Sequence, residues 1–310
     1  MPRRVVVVGA GVTGLTCAVR LAEAGHRVDV LARDLPLETT SVVAAALWYP
    51  YNALPQDRVT PWAASSYAAF AKLASPESSP ESTKDNGVWM MAGTEVLHGR
   101  TEDPWWAGAV PDLEHIIPPP GYADAWSFTA PVIDMPVYLG WLRTRLSELD
   151  ATLTRMSLRA LPETSDVVVN CSGLGSRLLA EDRDVRPVRG QVVLMNGVDL
   201  DRWSLDAAGP TYVVPRTRQI VVGGTDEVDD WSRTASPQTA SEILRRAVRL
   251  VPELADARVV GHRVGLRPVR SAVRLEVEDR VVHCYGHGGA GVTLSWGCAD
   301  EVVRLVDQLR

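Results

Sequence analysis

Val5 to Val8 form an unbroken valine run, and GAGVTG follows at once, with glycines at Gly9, Gly11 and Gly14. The next residues, LTCAVRLAEAG, carry Leu15, Val19 and Ala22 at helical spacing and stop at Gly25, before a second apolar run, RVDVLA. Buried strand, Gly-x-Gly-x-x-Gly, amphipathic helix and strand in one short unit predict a dinucleotide-binding half. The glycines permit a tight turn and close approach of a pyrophosphate, and the helix start supplies unpaired N–H groups and a positive dipole end. Gly9, Gly11, Val12, Thr13 and Gly14 are therefore candidate cofactor contacts. The second strand ends in Arg33 and Asp34. Asp34 could hold an adenosine ribose, whereas Arg33 could favour a 2′-phosphate or lie along the adenine, so the motif alone leaves the dinucleotide open.

The chain of 310 residues is long enough for two ordinary domains or one large domain with an inserted lobe. Its net charge of -6, with no basic stripe interleaved with aromatics, argues against a nucleic-acid surface. No apolar run is long enough to span a bilayer. Lys72 and Lys84 are the only lysines; the arginine bias suggests a GC-rich bacterial genome. Cys17, Cys171, Cys284 and Cys298 are scattered, without a CxxC pair or metal spacing. They are expected to be buried small apolar residues in a reducing cytosol, and no metal is expected. Arg3 and Arg4 precede an apolar run, but it turns directly into the glycine motif with no cleavage site, so it is assigned to the first strand and the protein to the cytoplasm.

Further along, the polar stretch Ser75 to Gly87 and PPPG from Pro118 to Gly121 read as connections. Asp134 with Pro136 opens a helix running to Leu149, and Ser236 with Pro237 opens another. DVVVNCSGLGS, from Asp166 to Ser176, is a buried strand ending in a glycine turn, and QVVLM, TYVVP and QIVVGGT predict an antiparallel sheet. HCYGHGGAGVTLSWG closes the chain as strand, loop and helix. Nucleotide-binding units at both ends and antiparallel strands between them imply an α/β fold. Its Rossmann-like FAD-binding domain is discontinuous, spanning residues 1–57, 132–182 and 262–310. An α+β substrate domain built on an antiparallel sheet, residues 58–131 and 183–261, is inserted into it. A return to the first domain at the very end of the chain favours FAD over a nicotinamide cofactor.

GAGVTG, AAALWYPY (Ala44 to Tyr51), VVVNCSG, RPVRGQV, TYVVP, GGTDEVDDW, GLRPVR and YGHGGAGVTLSWG occur in that order. Together they resemble the D-amino-acid oxidase family of FAD enzymes over nearly the whole chain. The resemblance implies non-covalent FAD and oxidation of a D-amino acid to its imino acid. The flavin is then reoxidised by O2 to give hydrogen peroxide, and the imine hydrolyses to a 2-oxo acid and ammonia. It makes Arg267 the clamp for the substrate carboxylate, a task that suits a permanently charged, forked guanidinium. Arg270 and Arg274 are better read as structural partners of Glu276 or Glu278. By the same resemblance Tyr212 also meets the carboxylate, and the carbonyl of Gly289 accepts the substrate amine.

Leu47, Tyr49 and Tyr51 match positions lining the pocket above the flavin, while Trp48 and Pro50 alternate with them as packing. Thr39, Thr40 and Ser41, with Ala45 and Ala46, are expected beside phosphate or flavin, as are Cys171, Ser172, Gly173 and Gly265. In the terminal loop His287 and Gly288 lie beside the flavin. The N–H groups of Ala290, Gly291, Val292 and Thr293, with the Thr293 hydroxyl, are expected to face the flavin C2 carbonyl. No catalytic acid or base is required if the Cα hydride passes to flavin N5 from a neutral amine. His26, His98 and His115 are assigned to surface or packing. Ala208 stands where many relatives carry a lid tyrosine, so the lid is shortened or different. Relatives that oxidise D-aspartate carry an arginine after GGT; here Asp226 follows, which favours neutral or basic side chains. A D-aspartate oxidase, a glycine or sarcosine oxidase, an NAD(P)-dependent reductase and a non-catalytic flavin-binding protein are the alternatives. The expected partners are a small D-amino acid and O2, with no nucleic acid or membrane, and a homodimer is left open.

Overall fold

The computed structural model describes residues 2–51, 53–75, 86–163 and 167–309. The expected connection from Ser75 to Gly87 therefore lies largely outside the described residues, as does Asp166 at the start of its strand. Strand β1 (Arg4–Val8) enters helix α1 (Val12–Glu23), and Gly25 at φ +88 turns the chain into β2 (Arg27–Ala32). After the connection that follows β2 come α2 (Gln56–Ala74), β3 (Val88–Leu97), β4 (Glu114–His115) and β5 (Asp124–Ile133). Helix α3 (Met135–Glu148) begins after Asp134, as the sequence predicts, and leads to β6 (Thr152–Arg155), β7 (Val167–Asn170) and the one-turn α4 (Ser176–Leu179).

Strands β8 (Arg186–Asn196), β9 (Trp203–Asp206), β10 (Thr211–Pro215), β11 (Ile220–Gly223) and β12 (Glu227–Val228) follow. Helix α5 (Pro237–Leu250) is capped by the Ser236 hydroxyl, which accepts from Thr239 N at 3.2 Å. The chain ends with β13 (Arg258–Glu278), β14 (Val281–His287) and α6 (Gly291–Gln308).

The described strands join into one hydrogen-bonded path, ordered β4-β5-β3-β9-β10-β11-β8-β13-β14-β7-β1-β2-β6, with β12 added to β8. Its β14-β7-β1-β2-β6 end is parallel, and its central strands β7 and β1 are buried on both faces, which is why β1 can be all valine after Arg4. Helices α1, α3 and α6 pack on one face, and α2 packs on α6. The β9-β10-β11-β8 end is antiparallel. Side chains alternate along it: Val193 and Met195 of β8 face the α5 cluster, and Val192 and Leu194 face the opposite cluster with Val43, Ala45 and Tyr212. Strand β13 unites the two ends. Its first part pairs with β8, and its last part pairs with β14 after a register shift between Val269 and Arg274. The expected α/β architecture with an antiparallel sheet is thus present. Four residues link β9 to β10 where a lid would lie, and Asp206 accepts from Ala208 N there.

Candidate active site

Every predicted site residue except Gly14 and Ala290 lines one continuous cavity of about 680 Å³, within the ordinary range for a buried ligand site. It runs from the β1–α1 turn, past the end of β2 and under the residue 39–47 loop, to the junction of β13, β14 and α6. At its first end Gly9 adopts φ +115, and its N–H is held by Leu31 O at 2.9 Å. Gly14 lies beneath this turn: a Cβ there would come within 2.0 Å of Gly9 O. No side chain caps α1 at Gly11, although the Ser41 hydroxyl accepts from Val12 N at 3.0 Å. At the end of β2, Arg33 pairs with Asp34 at 2.6 Å and holds its carboxyl below the usual range. Arg33 is thus partly neutralised by its own neighbour, which weakens the reading that it recruits a 2′-phosphate.

The far end is built by glycine-rich turns and β13. Helix α6 also starts without a side-chain cap. Two helix starts that lack a capping side chain of their own border this cavity, and they fit a cofactor with negative charge at two separated places, pyrophosphate and reduced flavin. Ala290 N donates to His287 O at 2.9 Å, and the Thr293 hydroxyl donates to Tyr49 O at 2.9 Å while accepting from Tyr49 N at 3.1 Å. These groups are occupied, contrary to the sequence expectation. Gly291, Val292 and Thr293 N–H are the donors this turn leaves for a ligand. Likewise the Thr39 and Thr40 hydroxyls bond to Pro36 O and Leu266 O, so of that trio Ser41 has the better-placed hydroxyl.

Arg267 and its neighbours form the polar part of this end. The guanidinium lies flat over Gly190, where a Cβ would come within 2.5 Å of Nη2. Its Nη1 donates to Thr225 O at 2.7 Å and to Asp226 Oδ1 at 2.6 Å, and Tyr51 OH donates to the other Asp226 oxygen. Tyr212 is packed over Gly223 and Gly224; burial, opposed by Arg267, pushes its hydroxyl pKa up. A Cβ on Gly289 would lie 3.1 Å from the Tyr51 ring and 3.8 Å from Arg267 Cδ, so Gly289 faces the same space. Arg274 pairs with Glu276 and Glu278 as expected, but Arg270 pairs with Asp182 at 2.9 Å instead of either glutamate.

Sequence reasoning missed several supports of this site. Half-buried Arg216 donates to the carbonyls of Ala44 and Ala45 and so holds the loop over the cavity; desolvation lowers its pKa to about 10. Tyr49 lines the cavity, but its hydroxyl is committed to buried Glu95 Oε1 at 2.6 Å. The signal was a lone acid inside the β3 run VWMMAGTEVL. The four cysteines, scattered in sequence, converge in space. The Cys17, Cys171 and Cys284 sulfurs lie within 4.8 Å of one another, as do the ligand atoms of Cys284, Cys298 and His287.

Glu95 carries a pH prediction. Burial pushes its pKa up to about 7, against the Tyr49 hydrogen bond. The folded state therefore binds the proton more tightly than the unfolded chain does. The associated stability is full below about pH 4.5 and is lost as pH rises to about 7. Glu95→Gln should be more stable than wild type at pH 8, by about 1–3 kcal/mol, with the difference shrinking towards pH 5. Thermal unfolding of both proteins at the two pH values checks this; a pH-independent difference would contradict it.

Residues 4–305 match the FAD dependent oxidoreductase family, which decides between the dinucleotides. The chain belongs to that family. Its cofactor is accordingly FAD, and the NAD(P)-dependent reductase alternative falls away. Over 97% of its length the chain is 45% identical to a D-amino-acid oxidase of Rubrobacter xylanophilus, covering 95% of that relative. It is 44% identical to a D-amino-acid oxidase of Streptomyces coelicolor, again over 97% of this chain and 96% of the relative. Among solved structures, the glycine oxidase from Geobacillus kaustophilus superposes with a TM-score of 0.86 over 99% of this chain and 96% of its own. At 21% identity that likeness establishes the shared fold of this FAD-dependent family.

Proposed function

We propose that this protein is an FAD-dependent D-amino-acid oxidase. The observation that carries the reading is the convergence of Arg267, Tyr212, Tyr51 and Gly289 at one end of a cavity of about 680 Å³ that is also lined by the β1–α1 glycine turn. Relatives named D-amino-acid oxidase at 44–45% identity support it. Arg267, held flat over Gly190 and anchored by Thr225 O, would bind the substrate carboxylate, with the Tyr212 hydroxyl beside it. The Gly289 carbonyl would accept from the amine, so two fixed points orient Cα. Bound non-covalently, FAD would supply the hydride acceptor and the route for both electrons to O2, which would give hydrogen peroxide, and the imino acid would hydrolyse to a 2-oxo acid and ammonia. The uncapped start of α6 would stabilise negative charge on the bound cofactor. Catalysis by this chain is then chiefly orientation, with His287 turned to Cys284 at 3.9 Å and no side chain assigned as proton acceptor.

Asp226 in the substrate end disfavours acidic side chains, so neutral and basic D-amino acids are the proposed substrates, ahead of D-aspartate, glycine or sarcosine. The proposed cofactor domain comprises residues 1–57, 132–182 and 262–310, with the substrate domain between; α2 and β13 run across these boundaries and couple the two. No helix among the described residues is long and apolar enough to cross a membrane. A cytoplasmic site of action and a homodimer complete the proposal. Peroxide release measured across a panel of D- and L-amino acids tests it. Turnover of D-enantiomers with neutral or basic side chains is expected; turnover confined to L-enantiomers, glycine or sarcosine would reject it.

A further inference from the structure

Arg267 already holds a carboxylate. Nη1 divides its two hydrogens between Thr225 O and Asp226 Oδ1, at 2.7 and 2.6 Å, and Tyr51 OH secures the second Asp226 oxygen. Both side chains are largely enclosed, with 18% of Arg267 and 28% of Asp226 exposed. This is the kind of contact a substrate carboxylate would make with the same guanidinium. The backbone carrying Asp226 is tied down on both sides. Gln191 N donates to the Thr225 hydroxyl at 3.0 Å, and β12 pairs with β8 through Glu227 and Val228. Glu227 is further locked to buried Arg189, whose guanidinium also donates to Ser232 O and Thr234 O. With the loop anchored on both sides, departure of Asp226 from Arg267 would have to come from rotation of its side chain.

We propose that Asp226 is an internal competitor for the substrate-carboxylate position on Arg267, displaced by side-chain rotation when the substrate binds. Its charge then stays in the cavity and selects the substrate side chain. This rests on the D-amino-acid oxidase reading for its substrate, but the competition itself concerns any carboxylate. A site occupied by its own side chain nine-tenths of the time binds a competing ligand about tenfold more weakly than an open one. After displacement, Asp226 repels an anionic side chain and attracts a cationic one. The internal contact thus lowers affinity for every substrate, and the displaced carboxylate restores part of it for basic ones.

The test uses the FAD-loaded protein and propanoate, which offers the carboxylate without the amine. Binding is followed by calorimetry for wild type, Asp226→Asn and Asp226→Ala. Both variants should bind propanoate about tenfold more tightly. In kinetic assays kcat/KM for D-glutamate relative to D-leucine should rise in both, and that for D-arginine relative to D-leucine should fall. Propanoate binding that is unchanged or weaker in both variants at full flavin content would overturn the competition. Unchanged side-chain ratios would overturn the selection. A wild type that oxidises no D-amino acid would instead remove the functional reading, while the propanoate titration would still report on Asp226.

Discussion

Arg267→Ala is expected to retain bound flavin and to lose about 10²–10⁴-fold in kcat/KM for D-amino acids. Removing one partner of an enclosed, charge-assisted hydrogen-bonded pair costs about 3–5 kcal/mol, and here the loss also releases the orientation of Cα. The flavin should remain because Arg267 stands at the proposed substrate end, and the glycine turn proposed to receive the pyrophosphate lies at the other end of the cavity. Arg267→Lys keeps the charge without the planar fork, so it should recover only a small part of the activity. The unmutated residue is held over Gly190 and bonded to Thr225 O, geometry that an ammonium on a flexible stem does not reproduce. Steady-state kinetics with flavin absorbance recorded on the same samples checks both variants. Activity in Arg267→Ala within a few-fold of wild type would refute the clamp.

The second large effect is expected at Gly14, which does not itself line the cavity. Even a methyl group there would meet Gly9 O at 2.0 Å, and Cys171 Cβ lies at 3.3 Å on the same side. The contact can be relieved only by moving α1 away from the turn or by changing the turn at Gly9, already at φ +115. Either movement displaces the start of α1, where the Gly11 and Thr13 N–H groups are proposed to receive the pyrophosphate. Gly14→Ala is therefore expected to purify colourless and to take up little FAD. Added FAD should raise the Tm of wild type, through binding to the folded state alone, but not that of the variant. Circular dichroism distinguishes a folded, flavin-free protein from an unfolded one. A folded Gly14→Ala carrying one FAD per chain would contradict this account of the turn.

These two sites were legible in sequence for different reasons. The β1–α1 turn is local: glycine spacing, a four-valine run and helical periodicity all lie within one short unit, so each supports the others. Arg267 became legible through the order of motifs along the chain, because a single arginine before a proline carries little information alone. Contacts across the sheet were not legible. Glu95 of β3 meets Tyr49 of the connection after β2, Arg216 reaches back to the same connection at Ala44, and Asp226 folds onto Arg267. Each pairing depends on strand order, and no local pattern encodes it. The cysteines illustrate the same limit: Cys17, Cys171 and Cys284 meet because β7 lies between β1 and β14, although they are far apart in the chain. Donor assignments failed where a neighbouring backbone competed. The Thr293 hydroxyl bonds to Tyr49 and Ala290 N–H to His287 O, satisfying the turn before any ligand arrives.

The central claim is that the two fixed points beside the flavin, Arg267 and Gly289, present the Cα hydrogen of one enantiomer to the cofactor. Anaerobic mixing of the FAD-loaded protein with D-leucine, and separately with L-leucine, tests this before oxygen enters the reaction. The account predicts rapid loss of oxidised-flavin absorbance with D-leucine and none with L-leucine. Equal reduction by both enantiomers, or reduction by L-leucine alone, would contradict it.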